Sequence, residues 1–100
     1  MKTFTMNLYE KALKEYGALP MFMLLEQLQR EEKYEHCQFI YEAIVENFTE
    51  EQLHVILNNA EQRIAMAREE ALRKFKVSPD DYIVNINEYV KNARTMIGIW

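Results

Sequence analysis

The sequence has very little of what breaks a helix or forms a tight turn. Its 100 residues include only 2 Gly and 2 Pro. An all-β sandwich or barrel needs turn residues at short, regular intervals, so this shortage excludes that class. The seven strongest helix formers (Ala, Leu, Glu, Lys, Gln, Arg and Met) occupy 54 positions. The composition therefore predicts an all-α protein, and the length predicts a single domain over residues 1–100.

The chain also lacks a strong charge of either sign and a long apolar run. Its formal net charge is −4, with 5 basic and 8 acidic residues in positions 1–48, and 7 and 8 in positions 49–100. Neither half has the positive field that nucleic-acid binding requires. No run reaches the length of a membrane span, and residues 1–7 have no apolar signal-peptide core. The lone Cys37 is typical of a reducing compartment. We therefore expect a cytoplasmic protein that binds neither membranes nor nucleic acid.

Apolar periodicity and capping residues divide the chain into four to five helices. The expected helices cover residues 5–16, 20–28, 34–47, 50–75 and 78–97. The pattern breaks at residues 29–33, where a tight turn would create a central αα-hairpin. A continuous exposed helix through this segment is the alternative. Residues 82–86 could form a short strand, but a helix is preferred because a lone strand would have no partner.

The helix expected at about 50–75 carries the main argument for self-association. Thr49-Glu50-Glu51-Gln52 is a capping box that would begin it. At 1.5 Å per residue the helix would be about 39 Å long, whereas a compact domain of this size is about 34 Å across. One side of the helix carries an apolar seam of Leu53, Leu57, Ala60, Ile64, Ala67 and Ala71. We therefore expect a homodimer or higher oligomer. The alternative is that the last helix covers the seam within one chain.

Two further apolar segments need cover. Residues 19–25 are apolar on every face, so Met21, Phe22 and Met23 would lie either in the core or in an interface. The chain ends on Ile99 and Trp100, which would dock on the protein's own core or on a neighbouring protein. Both segments are consistent with a protein that is completed by a partner.

Candidate catalytic and metal-binding residues are scarce. Glu51 and His54 have the Glu-x-x-His spacing of a di-iron ligand pair, but Lys33 stands where His36 would need a glutamate for the second pair. His36 and Cys37 are consecutive, and consecutive side chains on a helix diverge by about 100°, so they do not form a Cys–His catalytic pair. We therefore expect a protein that is not an enzyme, with no metal ion and no cofactor.

The six tyrosines form pairs that are seven residues apart. These pairs are Tyr9 and Tyr16, Tyr34 and Tyr41, and Tyr82 and Tyr89. Two helical turns separate the members of a pair, so each pair shares one face and typically lines a helix–helix seam. The middle pair also belongs to a stripe with Cys37, Ile44 and Phe48. In an alternative reading, Tyr82 and Tyr89 stack on a nucleotide-like ligand while Arg63 and Arg68 contact its phosphates at a subunit boundary.

Residues 34–44 resemble the UVR motif of nucleotide-excision-repair proteins. The resemblance lies in the aromatic–Glu start at Tyr34-Glu35, the small residues that follow and the acid-x-Ile end at Glu42-Ala43-Ile44. It covers 11 of the 100 residues, and Tyr41 stands where the motif has Arg. The motif is an interaction hairpin with no chemistry of its own. The resemblance therefore implies a turn near Glu32 and a role in protein–protein interaction.

These observations predict a small all-α bundle that acts as an interaction or adaptor protein and associates with itself. Another protein is a further possible partner. The alternative function is a helical oligomer that binds a nucleotide-like ligand between subunits.

Overall fold

Seven α-helices form the part of the chain that the structure, a computed structural model, describes, which is residues 7–99. They are α1 (Leu8–Tyr16), α2 (Ala18–Arg30), α3 (Tyr34–Asn47), α4 (Glu50–Asn58), α5 (Ala60–Glu70), α6 (Pro79–Val84) and α7 (Ile86–Ile97), and a π-helical segment, Ala71–Phe75, continues α5. The all-α prediction is confirmed, but the predicted count of four to five helices is wrong. Within this described region, every helix is too short or too polar to cross a membrane.

The helix predicted over residues 50–75 is broken at Asn59. The capping box at Thr49 begins α4 as expected, but Asn59 has an extended backbone with φ −135° and ψ 98°. The side-chain oxygen of Asn59 accepts a hydrogen bond from the N–H of Gln62 at 3.1 Å, and so begins α5. Asparagine favours such caps because its side chain competes for backbone hydrogen bonds. The break therefore produces two helices where the periodicity predicted one.

A second asparagine divides the last predicted helix. Asn85 separates α6 from α7 at φ −95° and ψ 11°, and its side chain donates to the carbonyl of Asp81 at 2.8 Å. Residues on both sides of this position are helical, so the helix preferred for residues 82–86 is confirmed apart from the break. The two asparagines together account for the difference between the predicted and observed numbers of helices.

The break at Asn59 also removes the length argument for a dimer. Because α5 packs against α4, the chain has a radius of gyration of 13.0 Å and extents of 34 × 28 × 26 Å. A compact chain of this length has a radius of gyration of about 13 Å. The expected rod of about 39 Å does not form, so none of the helices between residues 7 and 99 extends beyond the molecule.

Helix α2 lies at the centre of the fold. It packs against α1, α3, α4, α5 and α7. Met21, Leu24 and Leu28 are fully buried on it. A helix that is apolar all round is stable in water only when other elements enclose it, which explains the apolar segment 19–25. The predicted hairpin is present, because the turn at residues 31–33 joins α2 to α3, which packs beside it.

The corner between α1 and α2 is held by side chains from the second half of the chain. Gly17 has φ 99° and ψ 173°, a backbone conformation that essentially only glycine adopts. The hydroxyl of Tyr82 donates to the carbonyl of Tyr16, and a carboxylate oxygen of Glu70 accepts the N–H of Ala18 at 3.3 Å. A Cβ at position 17 would lie 2.5 Å from the Tyr82 hydroxyl oxygen. The corner therefore requires glycine both for its backbone and for its space.

Two ionisable groups, the buried Tyr82 and the partly buried Glu70, lie at this corner. Burial raises the pKa of the Glu70 carboxyl above its ordinary value of 4.5, and the Ala18 N–H and the Lys74 ammonium, 3.8 Å away, oppose that shift. Burial, followed by the nearby Glu70 charge, also raises the pKa of Tyr82. The hydroxyl of Tyr82 is consequently protonated at neutral pH and available as a donor.

We expect Gly17→Ala to lower the free energy of unfolding by about 2–4 kcal/mol, because it combines backbone strain with a collision at Tyr82. Urea denaturation followed by circular dichroism measures the change. Gly98→Ala is the control: Gly98 also has positive φ, 85°, but apart from its chain neighbours no atom of the described residues lies within 4 Å of its added Cβ, so a cost of only about 1 kcal/mol is expected. In a Tyr82→Phe background the cost of Gly17→Ala should be smaller. Equal costs in both backgrounds would contradict the role of the Tyr82 hydroxyl.

The raised pKa of Glu70 predicts a pH dependence of stability. Because the folded state holds this proton more tightly than the unfolded state, the contribution of Glu70 is most favourable below the ordinary pKa of 4.5 and declines as the pH rises through the raised pKa. We expect Glu70→Gln to lose this decline when unfolding free energies are measured from about pH 4 to about pH 8. Glu69→Gln, at an exposed neighbour, should retain it. Identical profiles for both variants would show that burial of Glu70 does not set the dependence.

Candidate functional site on the outer face of α3

Most of the residues predicted for an interface lie inside the molecule. The buried members are Met21, Phe22, Ala67, Ala71 and Ile99. Three more, Met23, Leu53 and Leu57, are partly buried against the core. The exposed members are Ala60 and Ile64, and Trp100 is outside the described residues. The break at Asn59 explains this placement, because it divides the predicted seam between two helices that both face the core. As a surface for another molecule, the seam is reduced to Ala60 and Ile64.

The tyrosines predicted as a ligand platform stack on other aromatic rings of the chain. The ring centre of Tyr82 lies 5.1 Å from that of Tyr89 and 5.6 Å from that of Phe75, while Tyr89 lies 6.2 Å from Tyr16. Tyr82 is only 2% exposed. Both faces of its ring are therefore occupied within the chain, as expected for the seam reading of these tyrosines.

The arginines of the predicted ligand site also contact the chain itself. The guanidinium of Arg63 lies 4.0 Å from the centre of the Phe22 ring, and it donates a hydrogen bond to the carbonyl of Ile56. Arg68 donates to the carboxylate of Asp80 at 2.8 Å. The structure therefore does not bring the two arginines and the two tyrosines together around an open cavity within one chain.

The cysteine and the histidines serve structural contacts. The Cys37 thiol is buried, donates to the carbonyl of Leu25 at 3.8 Å and has a pKa raised by burial, which makes it a poor nucleophile. Nδ1 of His36 lies 2.8 Å from the Tyr9 hydroxyl oxygen in a hydrogen bond between α3 and α1. Between residues 7 and 99, no group of three or more His, Cys, Asp or Glu side chains is placed to hold a metal ion.

A surface groove of about 460 Å³ lies beside α4, α5 and the π-helical segment. Its lining is formed by Phe48, Gln52, Met66, Glu69, Glu70, Arg73 and Lys74. The charged groups of this lining pair with one another, Arg73 with Glu69 and Lys74 with Glu70, one helical turn apart. The groove therefore offers little uncompensated charge with which to select a ligand.

A line of apolar side chains faces solvent along α3. Tyr34 is 62% exposed, Tyr41 46% and Val45 38%. These positions are seven and four residues apart, so they lie within an arc of about 40° on a helix of 3.6 residues per turn. We call Tyr34, Tyr41 and Val45 the α3 strip. Because it stands on a helix whose other side is in the core, it is a rigid exposed apolar surface.

The position of the strip corrects the stripe predicted for this helix. Sequence periodicity placed Tyr34 and Tyr41 on one buried face with Cys37 and Ile44. In the structure the two tyrosines are exposed, and the residues buried with Cys37 and Ile44 are Ile40 and Ala43. The buried face is therefore rotated away from the two tyrosines. The apolar residues Ile40 and Ala43, which the predicted stripe left out, were the available signal for this rotation.

A line of glutamates runs parallel to the α3 strip. Glu35 and Glu42 follow Tyr34 and Tyr41 by one residue, and we call these two exposed side chains the glutamate row. The two lines are therefore separated by about 100° around the helix axis. Helices α3 and α4 together contain five Glu and no Lys or Arg. This side of the molecule consequently combines exposed apolar area with negative charge that no basic residue of α3 or α4 offsets.

Comparison with models of protein families, with curated proteins and with solved structures finds no match to this chain. The segment that resembles the UVR motif, residues 34–44, lies entirely within α3 and carries most of the α3 strip. The function must therefore be inferred from the chemistry of the molecule's own surface.

Proposed function

We propose that this protein is a non-enzymatic protein–protein interaction module that docks a partner protein on the outer face of α3. The observation that carries the proposal is the α3 strip, in which Tyr34, Tyr41 and Val45 form one exposed apolar line. Exposed apolar area gains free energy when a partner covers it. Tyrosine is also suited to interfaces, because its ring is buried at low entropic cost while its hydroxyl remains wet.

The charge of α3 favours a different protein over a second copy of this chain as the partner. In a two-fold pair of α3 helices, each strip would meet its own copy, and the glutamate rows would have no Lys or Arg of α3 to face. Like charges at an interface oppose association and help to exclude wrong partners. Self-association, which the sequence predicted from the length of one helix, is therefore the competing outcome that the experiment must distinguish.

The proposal places the protein in the cytoplasm. Its single cysteine is a buried thiol that packs in the core and contacts the Leu25 carbonyl, which is compatible with a reducing compartment.

We expect a photo-reactive amino acid at Gln38, between Tyr34 and Tyr41 on the same face, to form a discrete crosslink to another protein in the cells that make this one. The double variant Tyr34→Ser/Tyr41→Ser should lose the crosslink. Val84→Ser should keep it, because Val84 is 79% exposed but lies on α6. Both changes are at exposed positions, where the effect on stability is usually within about 0.5 kcal/mol.

Light scattering on the purified protein separates the two kinds of partner. We expect the mass of one chain, 12.0 kDa. Twice that mass, together with a Gln38 crosslink between two copies, would establish self-association in place of a different partner. A Gln38 crosslink that is no stronger than one from Asn87 on α7, or that persists in the Tyr34→Ser/Tyr41→Ser variant, would rule out the α3 strip as the docking surface.

A further inference from the structure

We infer that the segment which docks on the α3 strip is a basic amphipathic helix, with apolar side chains on Tyr34, Tyr41 and Val45 and with Lys or Arg opposite the glutamate row. This inference rests on the proposed docking role of α3 and names the chemistry of the partner. It is carried by the parallel arrangement of the apolar and acidic lines on one helix.

The dimensions of the strip fit a short helix. Tyr34 and Val45 are eleven residues apart, which corresponds to about 16 Å along the helix axis. A partner helix that follows this line needs about three turns, with apolar anchors at the i, i+4, i+7 and i+11 spacing that helix-in-groove recognition uses. The surface is straight because α3 is an uninterrupted helix from Tyr34 to Asn47.

The charge beside the strip requires a basic partner. The glutamate row lies on the solvent side of the strip, whereas Cys37 and Ile44 on its other side are buried. Any helix on the strip therefore has one flank next to negative charge and the other next to the body of the molecule. Lys or Arg on the first flank gains favourable pairing, while Asp or Glu there is repelled. The same charge disfavours phosphate-rich partners such as nucleic acids and anionic lipid surfaces.

The one-sided glutamate row also relates the partner's sequence to its direction. On α3 the charges follow the apolar positions by one residue. In an antiparallel pair of helices, the flank that follows the apolar positions faces the same flank of the partner, as heptad position e faces position e in an antiparallel coiled coil. In a parallel pair, this flank faces the partner's other flank, which precedes the apolar positions, as heptad position e faces position g. An antiparallel partner therefore has its basic residues one position after its apolar anchors, and a parallel partner has them one position before.

Synthetic peptides of about 14 residues test the inference, with Leu at i, i+4, i+7 and i+11 and Lys either one position after or one position before each Leu. A third peptide has Gln in place of Lys. Fluorescence anisotropy measures the Kd of each peptide for the full chain. We expect a Lys peptide to bind the wild-type protein about fivefold more tightly than the Gln peptide, since two exposed charge pairs contribute modestly each. We also expect this advantage to disappear at about 0.5 M salt.

Two matched double variants locate the charge effect. Glu35→Gln/Glu42→Gln removes the glutamate row and should weaken the Lys peptide about fivefold. The control Glu15→Gln/Glu88→Gln removes the same charge from exposed positions on α1 and α7 and should leave the Kd unchanged within about twofold. Equal weakening in both double variants would mean general attraction to an acidic protein and would overturn the inference.

The remaining outcomes separate this inference from the proposed function. One outcome is that the Lys and Gln peptides bind equally well and that both lose affinity for the Tyr34→Ser/Tyr41→Ser variant. In that case α3 docks helices without selecting for charge. The inference of a basic partner is then wrong, while the proposed docking role of α3 survives. If the Tyr34→Ser/Tyr41→Ser variant binds the peptides as the wild-type protein does, the α3 strip is not a docking surface and both proposals fail.

Discussion

The enclosure of α2 on every face is the constraint on which the rest of the structure depends. Its residues from Ala18 to Leu25 are almost entirely apolar, and α1, α3, α4, α5 and α7 surround them. Because five helices must reach one central helix of 13 residues, each of them has at most 14 residues and the chain must turn between them. It does so at the Gly17 corner, at the turn of residues 31–33 and at the breaks at Asn59 and Asn85, among other places. The compact shape and the short helices are therefore both consequences of covering α2.

The sequence predicted where helical structure lies but not where two of the helices break. Periodicity, the capping box at Thr49 and the turn at residues 31–33 were sufficient for the all-α class and the central hairpin. An asparagine within a helix costs less than about 1 kcal/mol relative to alanine, so neither Asn59 nor Asn85 ends a helix by its propensity alone. Tertiary burial decides between a continuous rod and two packed helices. The apolar rhythm from Leu53 to Ala71 continues across the break, although Ala60 and Ile64 just after it are exposed and only Ala67 and Ala71 are buried. The rhythm therefore conceals the break.

The candidate site was missed for two physical reasons. Tyr34 and Tyr41 share the helical spacing of Cys37 and Ile44, and a tyrosine at the edge of a buried face satisfies the same periodicity as one inside it. Only the packing of Ile40 and Ala43 in the core shows that the buried face is rotated away from the tyrosines. The acidic character of α3 and α4 was hidden by counting charge over halves of the chain, since each half also contains the basic residues of other helices. A count over single helices would have revealed it.

The proposed docking depends on the support behind α3 as much as on the strip itself. Cys37, Ile40, Ala43 and Ile44 fix the helix to the core, and α1 holds its flank through the Tyr9–His36 hydrogen bond and through the Tyr9 and Phe39 rings, whose centres are 5.3 Å apart. A partner that binds a surface held in this way orders few additional side chains, and ordering costs reduce affinity. Since α1 ends at the Gly17 corner, the buried Tyr82 and the partly buried Glu70 help to determine where α1 meets α3. The geometry of the α3 strip thus depends on the same enclosure of α2 that shapes the fold.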